Sequence, residues 1–201
     1  MANAITAAMV QQLREATGAA MMDCKRALDE TSGDFEKAKD NLRVKGVKTA
    51  EKKSGRVTAQ GGFGHYLHHD GRMAVLVEVN CETDFVARND KFKEFARQLA
   101  MHVAARRPKW VKKEEVPSEL TDKEKALIMA ESAEEMAKKP EVARVKMIEG
   151  RLQKFFGEHC LLEQPWVFDE KRKVDDLRKD LVAAIGENIS IRRFVRLEVG
   201  E

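Results

Sequence analysis

The sequence predicts an α+β fold in which an N-terminal domain of three helices precedes a core of a small antiparallel sheet packed with helices. Apolar residues recur at helical spacing near the N-terminus, two strand-like runs flank an Asp-Gly dipeptide, and later segments return to a helical period. At 201 residues with 43% hydrophobic content, the chain has room for one ordinary core and a small satellite domain.

The first segment is predicted to form three short helices separated by glycines. The apolar positions that recur at helical spacing are Ile5, Met9 and Leu13, then Met21, Cys24 and Leu28, then Phe35, Ala38 and Leu42. We expect these helices to form a domain over residues 1–46. Residues 47–61 are charged, contain glycine and lack apolar periodicity, which is typical of a linker.

The predicted α+β core domain covers residues 62–201 and begins with a hairpin. The runs FGHYLHH and RMAVLVEVN resemble strands, and Asp70-Gly71 between them favours a tight turn. A helix is expected from Asp90 to Ala105, before Pro108, with one apolar stripe that can cover the sheet. That stripe consists of Phe92, Phe95, Leu99 and Val103.

Two paired helices, a further helix and a last strand complete the predicted core domain. Thr121 and Glu124 match a capping box at the start of the helical pair over about 121–157, and Pro140 can begin its second helix. The apolar stripe expected on that second helix is Val142, Val145, Ile148, Leu152 and Phe155. A helix over residues 174–185 should end at Gly186, and ISIRRFVRLEV should form the last strand.

Composition favours a cytoplasmic protein with reduced cysteines. The N-terminal MANAITAAMVQQL lacks the features of a targeting signal, and no apolar run approaches the roughly 20 residues that a bilayer requires, so no membrane contact is expected. Cys24, Cys81 and Cys160 are far apart in sequence and form no C-x-x-C pair. We therefore expect buried, reduced thiols.

No sequence feature indicates covalent catalysis, and we expect neither a resident metal nor a cofactor. Phosphate-binding, nucleophile-elbow and zinc-protease motifs do not occur. His65, His68 and His69 lie close in sequence, but His65 and His69 would be about 13 Å apart along a strand and His68 would face the other side. A strand surface is the favoured interpretation, and a metal-dependent hydrolase is the weakest alternative.

Charge alone leaves a protein partner and a nucleic-acid partner open. The chain has 37 basic and 34 acidic residues, a net charge of +3. Basic pairs such as Arg106-Arg107 and Arg192-Arg193 are not interleaved with aromatic residues, which make up 6% of the chain. No direct nucleic-acid binding is expected, but a ribosome- or RNA-associated basic module stays the main alternative.

The segment NCETDFVARND is unusual because Asp84 and Phe85 follow the second hairpin strand, where polar turn residues would suffice. Phe85 could pack under the following helix with Asp84 as a local cap. It could equally extend towards a partner. The residues alone leave both interpretations open.

Five segments occur in order along the chain: LREATGAAMMDCKRAL, EVNCETDFVARND, MIEGRLQKFF, LLEQPWV and IGENISIRRFVRLEVG. Together they resemble elongation factor Ts, the exchange factor for the GTPase elongation factor Tu. The resemblance implies that the helices of residues 1–46 form a domain similar to a ubiquitin-associated domain that docks on the GTPase, with Leu13, Met21 and Met22 as candidate contacts. It also implies that Thr83, Asp84, Phe85 and Val86 disturb the magnesium and phosphate site of the partner and promote GDP release.

Longer members of that family carry two related core subdomains and a coiled-coil insertion, whereas this chain has room for one core. We therefore expect a homodimer that recreates the duplicated core through sheet edges that include the final strand. That strand contains no cysteine, so a disulfide through it is excluded.

Overall fold

The computed structural model describes residues 5–201 and confirms the α+β fold class. Residues 1–4, which begin both the predicted docking domain and the segment in which no targeting signal is expected, lie outside the described residues. The helices are α1 (Ala7–Thr17), α2 (Met21–Glu30), α3 (Phe35–Lys53), α4 (Asp84–Ala87), α5 (Asp90–Arg106), α6 (Ser118–Glu131), α7 (Ala133–Ala137), α8 (Glu141–His159) and α9 (Val174–Ile185). The strands are β1 (Gln60–Leu67), β2 (Met73–Cys81), β3 (Pro165–Trp166), β4 (Asp169–Lys173) and β5 (Ile189–Glu198).

Helices α1, α2 and α3 pack around a common apolar core, as the sequence predicts. Thr6 caps α1 by accepting a hydrogen bond from the Met9 amide, and Asp34 caps α3 by accepting from Lys37. The buried residues are Val10, Leu13, Cys24, Ala27, Leu28, Ala38 and Leu42.

The end expected for the third helix near Gly46 is wrong. Helix α3 passes through Gly46 and ends at Lys53, so residues 47–53 of the predicted linker are helical. Gly46 and Ala50 are buried, and a β-carbon at position 46 would lie 3.3 Å from the Ala183 side chain of α9. Tertiary packing against α9 therefore outweighs the low helix propensity of glycine.

The hairpin of β1 and β2 forms as predicted, with a loop longer than a two-residue turn. The His68 amide donates to the Met73 carbonyl, and the Gly71 amide donates to the His68 carbonyl with Gly71 at a φ of 70°. The sheet order is β1-β2-β5, so β1 and β5 are its edges. Along β2, the buried residues Val75, Val77, Val79 and Cys81 alternate with more exposed ones.

Helix α5 has the buried stripe that the sequence predicts, since Phe92, Phe95, Leu99 and Val103 are all buried. The helix lies very close to β1. A β-carbon added at Gly64 would be 1.9 Å from the Ala96 carbonyl oxygen. Glycine at this strand position is therefore what permits the observed approach of the two backbones.

Helices α6 and α8 pair as predicted, but two details of that prediction are wrong. Helix α6 begins at Ser118, and Thr121 donates its hydroxyl to the Pro117 carbonyl from within the helix, so Thr121 and Glu124 form no capping box. On α8, Val142 and Val145 are exposed and Phe156 is the buried residue. The apolar stripe is therefore exposed near the start of α8.

The last helix and strand form where the sequence predicts them. Helix α9 ends at Ile185, Gly186 follows with a φ of 88°, and β5 begins at Ile189. A positive φ at the residue after a helix favours glycine because it has no β-carbon. The prediction of buried, free thiols is also confirmed for Cys24, Cys81 and Cys160.

Contacts divide the chain into two compact units. The first comprises Met1–Gly64, as far as it is described, with Val77–Gln98 and Asp176–Arg192. The second comprises His65–Leu76, Leu99–Asp175 and Arg193–Glu201. Within the part of the chain that the structure describes, no helix has the length and apolar character needed to cross a bilayer.

Candidate functional site

The Thr83–Val86 segment forms a short turn of helix directly after β2. Thr83 has an extended backbone and accepts a hydrogen bond through Oγ1 from the Val86 amide at 3.4 Å. Asp84 lies in the first turn, where its negative charge is favoured by the helix dipole. Local capping chemistry therefore explains why this sequence turns here.

Phe85 and Val86 point in opposite directions. Phe85 is 80% exposed, whereas Val86 is 8% exposed. Full burial of a phenylalanine is worth roughly 1.5–3 kcal/mol, so an exposed ring leaves most of that free energy unused within the chain. Of the two interpretations of this segment, packing of Phe85 under the following helix is wrong.

Asp84 does not present an isolated negative charge. Its carboxylate accepts a hydrogen bond from the Arg88 guanidinium at 2.9 Å, one helical turn further on. Both side chains are well exposed to solvent, so this pair adds little stability. The segment therefore presents an aromatic ring beside an exposed ion pair.

The Glu187 carboxylate binds the two residues that precede Asp84. Its Oε2 accepts hydrogen bonds from the Glu82 amide at 3.2 Å and the Thr83 amide at 3.0 Å. Its Oε1 accepts one from the Thr83 hydroxyl at 2.7 Å. Glu187 follows Gly186 at the end of α9, so a residue distant in sequence holds the start of the Thr83–Val86 segment.

Glu82 and Asn188 form a second contact between the same two chain segments, with the donor and acceptor segments exchanged. The Asn188 amide donates to Glu82 Oε1 at 2.6 Å, and this bond lowers the pKa of the Glu82 carboxyl, with a smaller contribution from Arg56. The Asn188 side chain is buried and donates to the backbone carbonyls of Ser54 and Arg56 at 3.3 and 2.9 Å. Three chain segments are therefore joined behind Thr83.

The three candidate contacts on the N-terminal helices differ in their exposure to solvent. Leu13 is fully buried among α1, α2 and α3, so it supports that fold and has no surface to offer a partner. Met21 and Met22, at the start of α2, are 50% and 63% exposed. The Thr83–Val86 segment belongs to the same compact unit as these helices.

The histidine cluster is organised by ring contacts. The Tyr66 hydroxyl is 2.7 Å from His68 Nδ1, and the His68 and His69 rings pack edge to face. In residues 5–201, no group of three or more His, Cys, Asp or Glu side chains is placed to hold a metal ion.

Part of the basic charge is paired with acidic residues. Arg106 pairs with Glu170, and Arg107 pairs with Glu198 at 2.9 Å and with Glu201 at 3.2 Å. These pairs compete with any phosphate for the guanidinium groups. The Arg106-Arg107 pair therefore gives little support to the RNA-binding alternative.

Glu187 and Asn188 are the site residues that sequence reasoning did not single out. They lie within IGENISIRRFVRLEVG, one of the segments that carry the family resemblance. The available signal was Gly186, a helix-ending glycine followed directly by two polar residues. Their contacts with Glu82 and Thr83 span more than 100 residues.

Comparison with known proteins identifies the family. The sequence model of the family described as "Elongation factor TS" matches residues 1–201. Proteins named elongation factor Ts from Carboxydothermus hydrogenoformans and Syntrophomonas wolfei are each 54% identical over 98% of this chain and 90% and 91% of their own length. The protein of that name from Geobacter metallireducens is 52% identical over 98% of the chain and 90% of its length. The chain therefore belongs to the elongation factor Ts family.

Proposed function

We propose that this translation elongation and nucleotide-exchange factor binds elongation factor Tu carrying GDP and promotes GDP release by disturbing the magnesium and phosphate site of that GTPase. The observation that carries the proposal is Phe85, which is 80% exposed on a segment whose base is held by hydrogen bonds. A large apolar ring kept in water on an ordered segment is suited to contact with a partner.

The proposed mechanism follows from how a GTPase holds its nucleotide. Backbone amides of the phosphate-binding loop and a magnesium ion neutralise the charge of the phosphates. Insertion of Asp84 and Phe85 beside that site displaces the ion and reorients those amides, which lowers the affinity for GDP. Thr83 holds the start of the segment through its hydrogen bond to Glu187, and the buried side chain of Val86 holds its end.

Binding elsewhere must supply most of the free energy. A nucleotide bound with nanomolar affinity has a binding free energy of about 12 kcal/mol, several times what burial of one phenylalanine provides. Met21 and Met22 are exposed on α2 and offer adaptable apolar contacts for docking on the GTPase. Leu13 contributes indirectly because it is part of the core beneath them.

The activity requires no covalent step. Coupling between two ligands is reciprocal, so a factor that weakens GDP binding is itself bound less tightly when nucleotide is present, and GTP can displace it. The chain then acts catalytically on exchange without a cofactor or a catalytic residue of its own. It acts in the cytoplasm, where translation takes place, through protein contacts and without direct binding to nucleic acid.

Phe85→Ala is expected to slow catalysed GDP release by about tenfold or more while leaving the fold intact, because the ring is exposed and makes little contribution to folding. Release of a fluorescent GDP analogue from elongation factor Tu, timed by stopped flow, measures the effect. Phe168→Ala is the matched control, since Phe168 is also an exposed ring, at 56%. Unchanged release with Phe85→Ala would exclude the proposed role of the Thr83–Val86 segment.

We also propose that two copies associate through the sheet, including its final strand. Strand β5 is an edge of the sheet, and Val195 and Leu197 on it are 46% and 63% exposed. Leu67 and Leu76, on β1 and β2 of the same compact unit, are exposed as well. The relatives are matched over about nine tenths of their length, so they are only slightly longer than this chain.

Leu197→Glu is expected to weaken the proposed homodimer by at least about tenfold, because it places a charge in an apolar contact. Sedimentation velocity over a concentration series measures the change in the dimer dissociation constant. Val142→Glu, which places the same charge at an exposed apolar position of α8 outside the sheet, is the control. A wild-type chain that sediments as a monomer at high micromolar concentration would contradict the dimer.

A further inference from the structure

We infer that Glu187 is a positioning residue that holds the Asp84–Phe85 tip in the orientation needed for exchange. Its carboxylate receives three hydrogen bonds from Glu82 and Thr83, the residues directly before the tip. None of these bonds is made to Asp84 or Phe85. Glu187 therefore acts on the tip indirectly, through Thr83. The inference rests on the proposed function of the Thr83–Val86 segment.

The tip requires external support because helix α4 is only four residues long. A single helical turn is not stable alone, since nucleation fixes several backbone torsions for one hydrogen bond. Phe85 makes few contacts of its own, being 80% exposed. A mobile tip would lose conformational entropy on insertion into a partner, and this loss would reduce the free energy available to disturb the nucleotide site.

Thr83 links Glu187 to the tip through its hydroxyl group. The hydroxyl donates its proton to Glu187 Oε1 at 2.7 Å and accepts the Val86 amide proton at 3.4 Å. Because the proton is committed to Glu187, an oxygen lone pair is left to face the first turn of α4. The carboxylate thereby sets the orientation of the group that caps the tip helix.

Glu187 is itself held in place by its neighbours. Gly186 ends α9 at a positive φ, and its carbonyl accepts a hydrogen bond from Lys53. On the other side, the Asn188 amide is bound to Glu82 and its side chain to Ser54 and Arg56. The carboxylate is therefore presented from a rigid base, which is the arrangement that pre-organisation of a functional residue requires.

The test measures the maximal rate of GDP release from elongation factor Tu at saturating factor and, separately, the factor concentration that gives half of that rate. Glu187→Ala is expected to lower the maximal rate by about fivefold or more and to change the half-saturating concentration by less than about twofold, because docking by α1, α2 and α3 is retained. Glu94→Ala is the matched control, since the Glu94 carboxylate also receives three hydrogen bonds, from Arg97 and Gln98.

Variants of Thr83 and Phe85 distinguish positioning from a purely structural role. Thr83→Val should reproduce the loss seen with Glu187→Ala, and Thr83→Ser should recover most of the rate because it keeps the hydroxyl. In a Phe85→Ala background, Glu187→Ala should produce a much smaller further loss than in the wild type, since Asp84 is then the one tip residue left for it to position. An equal loss in both backgrounds would overturn the inference, because it would show that Glu187 acts on something other than the tip.

The inference and the proposed function fail in different ways. If Phe85→Ala slows release while Glu187→Ala and Thr83→Val match the wild type, the positioning role is wrong and the proposed function stands. If the wild-type chain does not accelerate GDP release, or Phe85→Ala has no effect, the proposed function is wrong and the inference falls with it. Should Glu187→Ala fail to fold, Thr83→Val alone decides, since it removes only the bonds of the hydroxyl.

Discussion

Gly64→Ala is expected to destabilise the chain by at least about 4 kcal/mol, a large part of the roughly 5–15 kcal/mol that stabilises a typical protein, because the added methyl group would collide with the backbone of α5. The new β-carbon would lie 1.9 Å from the Ala96 carbonyl oxygen and 2.3 Å from its carbonyl carbon. Overpacking against flexible side chains typically costs about 1–3 kcal/mol. Here the neighbouring atoms belong to a helix backbone, so β1 and α5 would have to separate.

Urea unfolding followed by circular dichroism measures this effect, and the same strand supplies a matched control. A β-carbon at Gly62 would make an ordinary contact, 3.6 Å from the Phe92 ring, so Gly62→Ala should change stability by less than about 1 kcal/mol. A Gly64→Ala variant with near wild-type stability would show that β1 and α5 can move apart without cost, contrary to the close approach in the structure.

Local signals allowed much of this fold to be predicted. The alternation of buried residues along β2 and the buried stripe of α5 could be predicted because the burial of each side chain follows from the period of its own strand or helix. Helix α9 was located because Gly186 ends it by a local conformational preference. Each of these features depends on residues within a few positions of one another.

Two helix boundaries differ from the prediction, and for one of them a distant contact is the reason. Gly46 was expected to end α3, but contact with Ala183 on α9 makes it an interior position. Thr121 and Glu124 fit a capping box, yet α6 starts earlier at Ser118. Local sequence patterns contain no information about the contact with Ala183, so propensity alone predicted the wrong end for α3.

In the candidate site, too, local features could be predicted from the sequence and distant contacts could not. The sequence drew attention to Asp84 and Phe85 but could not decide whether the ring was buried, because that depends on what packs around it. The bonds from Glu187 to Glu82 and Thr83 were also inaccessible, since they join segments more than 100 positions apart. A single sequence indicates which segment is unusual, whereas the structure is needed to find the residue that holds it.

The second prediction of a large effect concerns His102, whose protonation should lower the stability of the fold on mild acidification. The ring is fully buried in the second compact unit, where Nε2 donates to Gln164 Oε1 at 2.9 Å and Nδ1 accepts from the Val167 amide at 3.2 Å. It also stacks on Trp166 with a centroid separation of 5.0 Å. Both ring nitrogens are thus satisfied by the neutral imidazole, and a second proton at Nδ1 would face an amide donor.

Burial is the main cause that lowers the pKa of His102 to about 4; the hydrogen bond to Gln164 raises this pKa in part, and nearby Arg106 lowers it by a smaller amount. In the unfolded chain the ordinary pKa is about 6.5, so between these two values the unfolded state binds a proton that the folded state does not. Stability therefore falls as pH falls through this window. The expected loss between pH 7 and pH 5 is about 2 kcal/mol.

Urea unfolding at pH values from 7 to 5, followed by the fluorescence of Trp110 and Trp166, measures this loss above the range where most carboxylates titrate. His102→Gln is expected to be less stable than the wild type at pH 7, because it leaves a void beside Trp166 and changes the bonds to Gln164 and Val167. Its stability should nevertheless change little between pH 7 and pH 5, because no buried imidazole is left to protonate. A wild-type curve that is flat over this range, or an equal slope in His102→Gln, would show that the fold accommodates the protonated ring without penalty.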